Sequence, residues 1–523
     1  MRIRIVGAGA MGRGIAQWAV TAGHTVELCD VRTEAVTAAA DFVRSMLDRA
    51  VQKGRMSAED AAAALGRLIA LDDPWAPGPE CELVIEAVRE DLGTKTEVFG
   101  RLEETLPAST VFATNTSSLS VTRIAAALKD PTRLAGLHFF NPVPLMKIVE
   151  VVPGAATRPE IPPALTALVE GCGHRAVTVA DTPGFLVNHA GRGLVTEALA
   201  LLEESVTDPA GIDRIARDVL GLRMGPFELM DLTGLDVTAA VIDSIWQGFR
   251  YADRLRPSYL TPNRVAAGLH GRKTGHGWFA YGPETPSPVP EPPVTGDADR
   301  PVYVAGSPAD PDVTTLLQTL TAAGATVENG AEPSADALVL VPVWGTTVAA
   351  AVAAHRLPAA RTFGVDPLPA AGRRRVLAVT PAAGPAAARD ARAVLARAAD
   401  GGEPYAVSVV RDTAGSVAQR LLASVVSVAA SIAERSLATP ADIDLAVTTG
   451  LGYPVGPLAW GDRIGAGRML ELYRALHTTT GDPRYRPTRW VTERAQLAMA
   501  LTDPGTAPAA CLDPAGRPDP EPR

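Results

Sequence analysis

The chain has 523 residues, which predicts two to four domains rather than one. Its hydrophobic fraction of 47% is ample for packed cores, and its charged fraction of 20% is ordinary for a globular protein. A net charge of −9 gives no reason to expect a nucleic-acid or membrane partner.

The start of the chain, MRIRIVGAGAMG, has the pattern of a strand entering a glycine-rich turn rather than of a signal peptide. No stretch of about 18 uninterrupted apolar residues stands out, so we expect no membrane span. The four cysteines lie far apart and form no metal-ligand cluster. They fit a protein of the reducing cytoplasm with neither disulfides nor a metal site.

Residues 1–180 predict a Rossmann-type domain. They begin with strand, glycine turn, helix and strand, and the apolar runs LVIEAV, TVFATN and RLAGLHFF follow between helical segments. This alternation predicts an α/β, doubly wound sheet with helices on both faces. From about Asp181 the pattern becomes helical, which predicts an all-α domain over residues 181–282.

The second half repeats this order in weaker form. The expected segments are a proline-rich linker (283–300), a degenerate Rossmann-like domain (301–404), a second helical domain (405–502) and a disordered tail (503–523). The two helical segments keep one register over some 55 positions when the numbers differ by 231. Asp181 corresponds in this way to Asp412, and Gly225-Pro226 to Gly456-Pro457. A duplicated α/β-plus-helical unit explains such a register.

The glycine cluster Gly7-Ala8-Gly9-Ala10-Met11-Gly12 predicts a dinucleotide site. Its pattern, GxGxxG, is weak alone, but here it follows a strand, opens a helix and precedes a second strand. Gly7 permits the tight turn, Gly9 lets the backbone approach a pyrophosphate, and Gly12 lets helix and strand pack closely. The helix N-terminus then faces the phosphates.

An acidic residue closes the second strand. Asp30 stands 18 residues after Gly12, where a carboxylate binds ribose hydroxyls and repels a 2′-phosphate. The sequence therefore favours NAD over NADP, although Arg32 close by weakens that preference.

The segment GLHFFNPVPLMKIVEVV carries the candidate catalytic pair. If NPVP makes a turn and the two apolar runs pair, His138 and Glu150 face each other about residue 144. Taken alone, a histidine on an apolar strand is more often a core residue. A carboxylate beside the imidazole would fix its tautomer and make it a better general base.

Several motifs together resemble the L-3-hydroxyacyl-CoA dehydrogenase family. They are GAGAMGRGIAQ, VIEAVREDLGTK, ATNTSSLSV, GLHFFNPVPLMKIVEVV, DTPGFLVN, GPFELMDLTGLD and GRKTGHGWFAY. The resemblance covers about residues 1–282. The overall layout and GYPVGPLAWG are similar to long bacterial members that oxidise 3-hydroxyadipyl-CoA in phenylacetate breakdown.

The resemblance implies roles for individual residues in oxidising (3S)-3-hydroxyacyl-CoA to 3-oxoacyl-CoA with NAD. His138 would be the general base, Glu150 its orienting partner, and Ser117 and Asn188 the groups that hydrogen-bond the substrate oxygen. Lys273 is expected to meet the CoA phosphates. The residues expected to bind the cofactor are Gly7, Gly9, Ala10, Met11, Gly12, Asp30, Glu90, Lys95, Asn115, Ser117 and Asn141.

The second half lacks these chemical groups. VYVAGSPADPD replaces the glycine turn, no histidine lies between His355 and His477, and Gln419 stands in the place of Asn188. We therefore expect no catalysis in the second half. Its helical domain could pack against the first helical domain, as two subunits of a dimer would, or it could be an independent module that binds a partner. A homodimer is the alternative to the intrachain pair.

Three substrates remain open, namely a straight-chain 3-hydroxyacyl-CoA, 3-hydroxybutyryl-CoA and a dicarboxylic analogue. Two other functions are also open. One is a sugar-acid dehydrogenase of the L-gulonate type, which shares the fold and HFFNP-like segments. The other is a non-catalytic protein, as lens crystallins of this fold show.

Overall fold

The computed structural model describes residues 1–282, 289–398 and 402–512. Residues 283–288 of the predicted linker and 513–523 of the predicted tail lie outside the described residues. The described part of the linker is tied down, because Arg214 donates to the carbonyl oxygens of Val289 and Pro290. In the described part of the tail, Pro508–Cys511 form a 3-10 turn.

The N-terminal sheet has eight strands in the order β3-β2-β1-β4-β5-β6-β7-β8, and only β6 and β7 are antiparallel. The strands are β1 (Arg2–Val6), β2 (Thr25–Cys29), β3 (Leu68–Leu71), β4 (Leu83–Glu86), β5 (Val111–Thr114), β6 (Leu134–Phe139), β7 (Ile148–Pro153) and β8 (Arg175–Thr178). The helices are α1 (Ala10–Thr21), α2 (Thr33–Gln52), α3 (Ala58–Gly66), α4 (Leu92–Thr105), α5 (Val121–Ala125) and α6 (Ile161–Gly171). Because helices cover both faces, central strands such as LVIE are buried at every position. The predicted doubly wound fold is confirmed.

The helical segment that follows contains α7 (Val187–Ala190), α8 (Arg192–Glu203), α9 (Pro209–Asp218), α10 (Pro226–Thr233), α11 (Leu235–Gly248) and α12 (Leu260–Ala266). Pro226 occupies the first turn of α10, where its missing N–H costs no hydrogen bond. Asp231 on this helix accepts hydrogen bonds from the amides of Trp278 and Phe279, which fastens the end of the segment.

The second sheet has six strands in the order β10-β9-β11-β12-β13-β14, with β12 and β13 antiparallel. They are β9 (Val302–Val304), β10 (Val327–Glu328), β11 (Leu338–Pro342), β12 (Thr362–Val365), β13 (Arg374–Val379) and β14 (Ala406–Arg411). The helices beside them are α13 (Pro311–Ala322), α14 (Val348–His355) and α15 (Pro385–Ala396). The antiparallel pair thus recurs near the same end of the sheet.

The second helical segment contains α16 (Val417–Glu434), α17 (Pro440–Gly450), α18 (Pro457–Ile464), α19 (Ala466–Thr480) and α20 (Arg489–Leu497). Helices α17, α18 and α19 begin 231 residues after α9, α10 and α11, so the register read from the sequence is confirmed here. The duplication of the sheet domain stays a prediction. It has one parallel at α5 and α14, whose first-turn amides bond Asp181 and Asp412 respectively.

The compact units of the molecule do not follow the order of the predicted domains. One unit consists of Met1–His189, Arg435–Leu451 and the described residues from Pro504 onward. The other consists of Ala190–Glu434 and Gly452–Asp503. Helix α17, which we assigned to the second helical domain, therefore belongs to the compact unit of the first sheet.

Helix α16 is the one helix in the described part of the chain that is long and apolar enough to cross a membrane. It is 94% buried within the protein. A core helix of a soluble protein passes the same test, so the helix is weak evidence for a span.

Candidate active site

The glycine-rich turn between β1 and α1 has the geometry that a dinucleotide needs. Gly7 has a φ of 107°, and a Cβ there would lie 2.5 Å from the carbonyl oxygen of Ala87. A Cβ on Gly12 would lie 1.7 Å from the oxygen of Gly7, whereas a Cβ on Gly9 would meet nothing within 4 Å. Among the described residues, no side chain caps the N-terminus of α1. Its first amides are therefore placed to bind a pyrophosphate.

Asp30 lies beside this turn, directly after β2. One carboxylate oxygen accepts a hydrogen bond from the amide of Ala8 at 2.9 Å, and the other accepts from the amide of Arg32 at 3.0 Å. The Arg32 side chain is 74% exposed and lies 3.8 Å from the Asp30 carboxylate. The acidic group is thus fixed at the end of the strand, where ribose recognition requires it.

His138 and Glu150 meet across the antiparallel pair β6–β7. They are direct register partners, and Nδ1 of His138 lies 2.5 Å from Oε2 of Glu150. The hairpin about residue 144 has therefore formed as the sequence indicated. A carboxylate can only accept here, so Nδ1 carries the proton and Nε2 is left as the basic nitrogen.

The other oxygen of Glu150 is held by two backbone amides. Those of Leu186 and Val187 donate to Oε1 at 2.9 and 2.7 Å. Glu150 is fully buried, and burial of a carboxylate requires such compensation. The sequence did not reveal these two donors, and the nearest signal was the GFLVN segment itself.

Aromatic rings enclose the imidazole of His138. The ring of Phe140 lies 4.5 Å and that of Phe185 lies 5.7 Å from the imidazole, measured between centroids. Asn115, at the end of β5, accepts a hydrogen bond from the amide of Phe139 at 2.8 Å. This bond joins the ends of β5 and β6 next to His138.

Glu90 is the centre of a cluster of hydroxyl and amide donors. Its Oε1 accepts from the hydroxyl of Thr116 at 2.7 Å and from the amides of Ser117 and Ser118 at 2.9 and 3.0 Å. Partial burial opposes ionisation, but these hydrogen bonds and Lys95 lower the pKa of Glu90 to about 2. The carboxylate is therefore ionised throughout the neutral range and fixes the loop that carries Ser117.

Lys95 is buried rather than presented to solvent. Its Nζ lies 2.6 Å from Glu86 and 3.2 Å from Glu90, and the side chain is 1% exposed. Burial raises the pKa of Glu86 in spite of this pairing. The expected cofactor contact of Lys95 stays a prediction, and this geometry favours a role exerted through Glu90.

The remaining predicted residues lie in three places. Asn188 follows Val187 on α7 and is half-buried, so it stands next to the amides that hold Glu150. Asn141 is exposed in the turn after Phe140. Lys273 belongs to the other compact unit, where its Nζ pairs with the carboxylate of Asp236 at 2.5 Å. The CoA role of Lys273 stays a prediction.

A cavity of about 390 Å³ lies between α1, α2 and the turn after β6. It is lined by Gln17, Phe42, Met46, Arg49, Ala50, Lys53, Arg55, Pro142, Pro144 and Leu145. Three of these side chains are cationic and exposed, and prolines and Leu145 form the apolar wall. In an acidic chain, such a local group of cations is suited to an anionic ligand. No motif of the sequence indicated this cluster.

The corresponding end of the second sheet contains different chemistry. Asp366 follows β12 and faces Val376 across the antiparallel pair, so it occupies the place of His138. Gln419 donates to Asp366 and to the carbonyl of Val343, and accepts from the amide of Gly345. Across all described residues, no group of three metal-ligating side chains is present.

Comparison with known protein families agrees with this geometry. Residues 2–182 match the NAD-binding domain of 3-hydroxyacyl-CoA dehydrogenase. Residues 184–281 and 415–500 both match the C-terminal domain of 3-hydroxyacyl-CoA dehydrogenase. The helical domain is thus present twice.

Some relatives cover nearly all of the chain, and others cover its first half. A 3-hydroxyadipyl-CoA dehydrogenase of Escherichia coli is 35% identical over 95% of this chain and 97% of its own length. A probable 3-hydroxybutyryl-CoA dehydrogenase of Bacillus subtilis is 37% identical over 54% of this chain and 98% of its own. The crystal structure of a 3-hydroxybutyryl-CoA dehydrogenase from Escherichia coli superposes with a TM-score of 0.82, at 35% identity, over 95% of this chain and 98% of that one.

Proposed function

The chain belongs to the 3-hydroxyacyl-CoA dehydrogenase family, and on that premise we propose that it oxidises (3S)-3-hydroxyacyl-CoA to 3-oxoacyl-CoA with NAD. The observation that carries the proposed mechanism is the buried His138–Glu150 pair at the carboxyl end of a sheet with a dinucleotide turn. In doubly wound sheets, this is the edge at which ligands bind.

The residues present fit NAD. The open side of Gly9, the uncapped start of α1 and the fixed carboxylate of Asp30 match a pyrophosphate and a ribose in that order. When bound, NAD supplies the acceptor for the hydride that leaves C3 of the substrate.

His138 removes the proton from the 3-hydroxyl. Its Nε2 is the free basic nitrogen because Nδ1 is bonded to Glu150. Glu150 keeps the imidazole in this tautomer and stabilises the imidazolium that forms. Two backbone amides hold Glu150 in turn, so the pair is preorganised and needs little rearrangement during the reaction.

Ser117 and Asn188 provide hydrogen bonds to the oxygen at C3 as negative charge develops there. The network around Glu90 fixes the Ser117 backbone, and Asn188 follows the residue that bonds Glu150. The cationic cavity beside α2 supports a CoA thioester, since CoA carries phosphates. The names of its relatives make 3-hydroxyadipyl-CoA and 3-hydroxybutyryl-CoA the first compounds to test.

We place the enzyme in the cytoplasm and assign the second half a structural role. Helices α8 and α16, one from each helical copy, pack against each other within one compact unit. This packing supports the proposal that the two copies form an intrachain pair in place of a contact between two subunits.

The test is NADH formation with 3-hydroxybutyryl-CoA, 3-hydroxyadipyl-CoA and L-gulonate as substrates. We expect turnover with at least one CoA thioester, none with L-gulonate, and a loss of about 10²–10⁴-fold in kcat for His138→Ala. Turnover of L-gulonate alone, or an unchanged kcat in His138→Ala, would contradict the proposal.

A further inference from the structure

Helix α17 of the second helical copy packs against the strand that carries Glu150. The helix contacts β7 and β8 within one compact unit. Its entry is fixed by the amide of Ala180, which donates to the carbonyl of Leu437 at 2.9 Å. On the helix, Ile443, Ala446 and Val447 are buried at a spacing that lies on one helical face.

The C-terminal end of α17 lies against the residues that hold Glu150. A Cβ on Gly450 would lie 3.0 and 3.1 Å from the two γ-methyl groups of Val187, and 3.6 Å from Cγ2 of Ile148. Val187 donates its amide to Glu150, and Ile148 precedes Glu150 by two residues, on the same face of β7. The contact therefore reaches the catalytic carboxylate through a single residue.

The backbone at Gly450 does not require glycine, because its φ is not positive. Close approach to Val187 is the reason that a glycine fits here. In the first helical copy, Val219 stands at the matching position, 231 residues earlier. That copy supplies α9, which packs against β13 and β14 in the other unit, where Val376 replaces the glutamate. Of the two copies, the glycine thus occurs in the one that packs against a strand carrying a glutamate, and the valine in the one that packs against Val376.

We propose that Gly450 is a positioning residue for the His138–Glu150 pair, so that a helix from the second half completes the active site of the first. The inference rests on the proposed roles of His138 and Glu150. A side chain at position 450 displaces Val187 by a few tenths of an ångström, and Glu150 and the imidazole follow. Misplacement of reacting groups on this scale lowers the rate of the chemical step.

Gly450→Ala is the direct test. We expect about 10-fold lower kcat with the KM for NAD unchanged. The pH at which kcat/KM is half-maximal should shift, since the hydrogen bond that tunes His138 changes. The low-field N–H resonance of His138, identified by its loss in Glu150→Gln, should move without any substrate present. Adding Val187→Ala removes the methyl groups that clash and should restore most of the kcat and the original pH profile.

Gly171→Ala is the matched control. Gly171 also ends a helix in the same compact unit, and a Cβ there would meet nothing within 4 Å. We expect wild-type kcat, pH profile and thermal unfolding for this variant. If Gly450→Ala is merely less stable, its melting temperature falls while the pH profile and the His138 resonance stay unchanged, and the inference is overturned.

Two further outcomes overturn it: Gly450→Ala with wild-type kcat and pH profile, or a double variant that folds but does not recover activity. These results differ from failure of the proposed function. If His138→Ala keeps full turnover, the proposed function is wrong. If His138→Ala is inactive and Gly450→Ala behaves as wild type, only the role of Gly450 is wrong.

Discussion

The two sheets differ at their antiparallel strand pairs. The comparison distinguishes residues that stabilise the fold in both halves from residues that are expected to act in catalysis. Asp181 and Asp412 have the same structural role in the two halves. Each accepts hydrogen bonds from the first-turn amides of the helix that precedes the antiparallel strand pair. His138 and Glu150, in contrast, are replaced by Asp366 and Val376. The two sheets share this backbone scheme, but the described residues of the second sheet have no imidazole–carboxylate pair at these positions.

The replacement residues form a hydrogen-bonded network. Gln419, at the position of Asn188, donates both of its amide N–H groups to Asp366 and Val343 and accepts from Gly345, so it has no donor left for a substrate oxygen. Among the described residues, the turn after β9 also shows no GxGxxG glycines, and the side chain of Asp310 caps α13. Among its described residues, the second sheet therefore has no imidazole at this position, and the helix after its first strand does not have an uncapped N-terminus.

The largest expected effect follows from removing the charge that distinguishes the first pair. Glu150→Gln keeps the shape of the side chain but allows the wrong imidazole tautomer, so kcat should fall by about 10²–10⁴-fold. The same acid-to-amide change at the second strand pair, Asp366→Asn, should leave kcat within about twofold, because Asp366 lies in the other compact unit and bonds Gln419 and the backbone. Steady-state kinetics of both variants measure the two changes in kcat. Equal losses of kcat would contradict the assignment of catalysis to the first sheet alone.

A second difference lies in the pair of helices α8 and α16. Arg420 is fully buried, and its Nε lies 2.6 Å from the equally buried Glu197. The matching positions in the repeat are His189 and Val428, so this ion pair exists on one side only. The presence of Arg420 lowers the pKa of Glu197 despite its burial. Because each copy supplies only one of the two charges, the ion pair favours contact between the first and the second helical copy over contact between two identical copies.

Arg420→Met should therefore cost about 3–5 kcal/mol of unfolding free energy, because it leaves Glu197 charged and less well paired in the interior. Urea denaturation followed by circular dichroism measures this loss. Adding Glu197→Gln removes the stranded charge and should recover a large part of it. Equal instability of the single and double variants would mean that packing, rather than charge, is responsible.

The third difference is at the acidic residues that end the second strand of each sheet. Asp30 bonds the glycine turn, whereas Glu328 bonds the hydroxyl and amide of Ser334. Asp30→Ala should raise the KM for NAD by about 10-fold, as expected for the loss of a hydrogen bond to a charged group, and should improve use of NADP. Glu328→Ala should change neither cofactor constant. Titration with both cofactors checks this, and unchanged discrimination in Asp30→Ala would remove its role in ribose recognition.

The sequence predicted local features well, because each depended on short-range rules. The hairpin register of His138 and Glu150 followed from one proline turn, and the helical repeat followed from fixed spacing between capping residues. Contacts between distant segments were missed. Nothing in the local pattern indicated that α17 joins the first compact unit, or that Lys95 lies buried between two glutamates. Both depend on packing that only the folded chain establishes.

The smallest effect expected is on stability, at Asp366. Burial raises the pKa of Asp366 above its ordinary value of 3.8. A group with a raised folded-state pKa contributes stability that is present below pH 3.8 and is lost as the pH rises through the folded-state pKa. Asp366→Asn carries no such penalty, so its melting temperature should exceed that of the wild type at about pH 8 but not at about pH 3, where the carboxyl is protonated in both the folded and the unfolded chain. Thermal scans at both pH values measure the difference. If the melting temperatures of the variant and the wild type differ by the same amount at both pH values, the charge of Asp366 does not affect stability. Asp366 then contributes to the second sheet only through packing and hydrogen bonds.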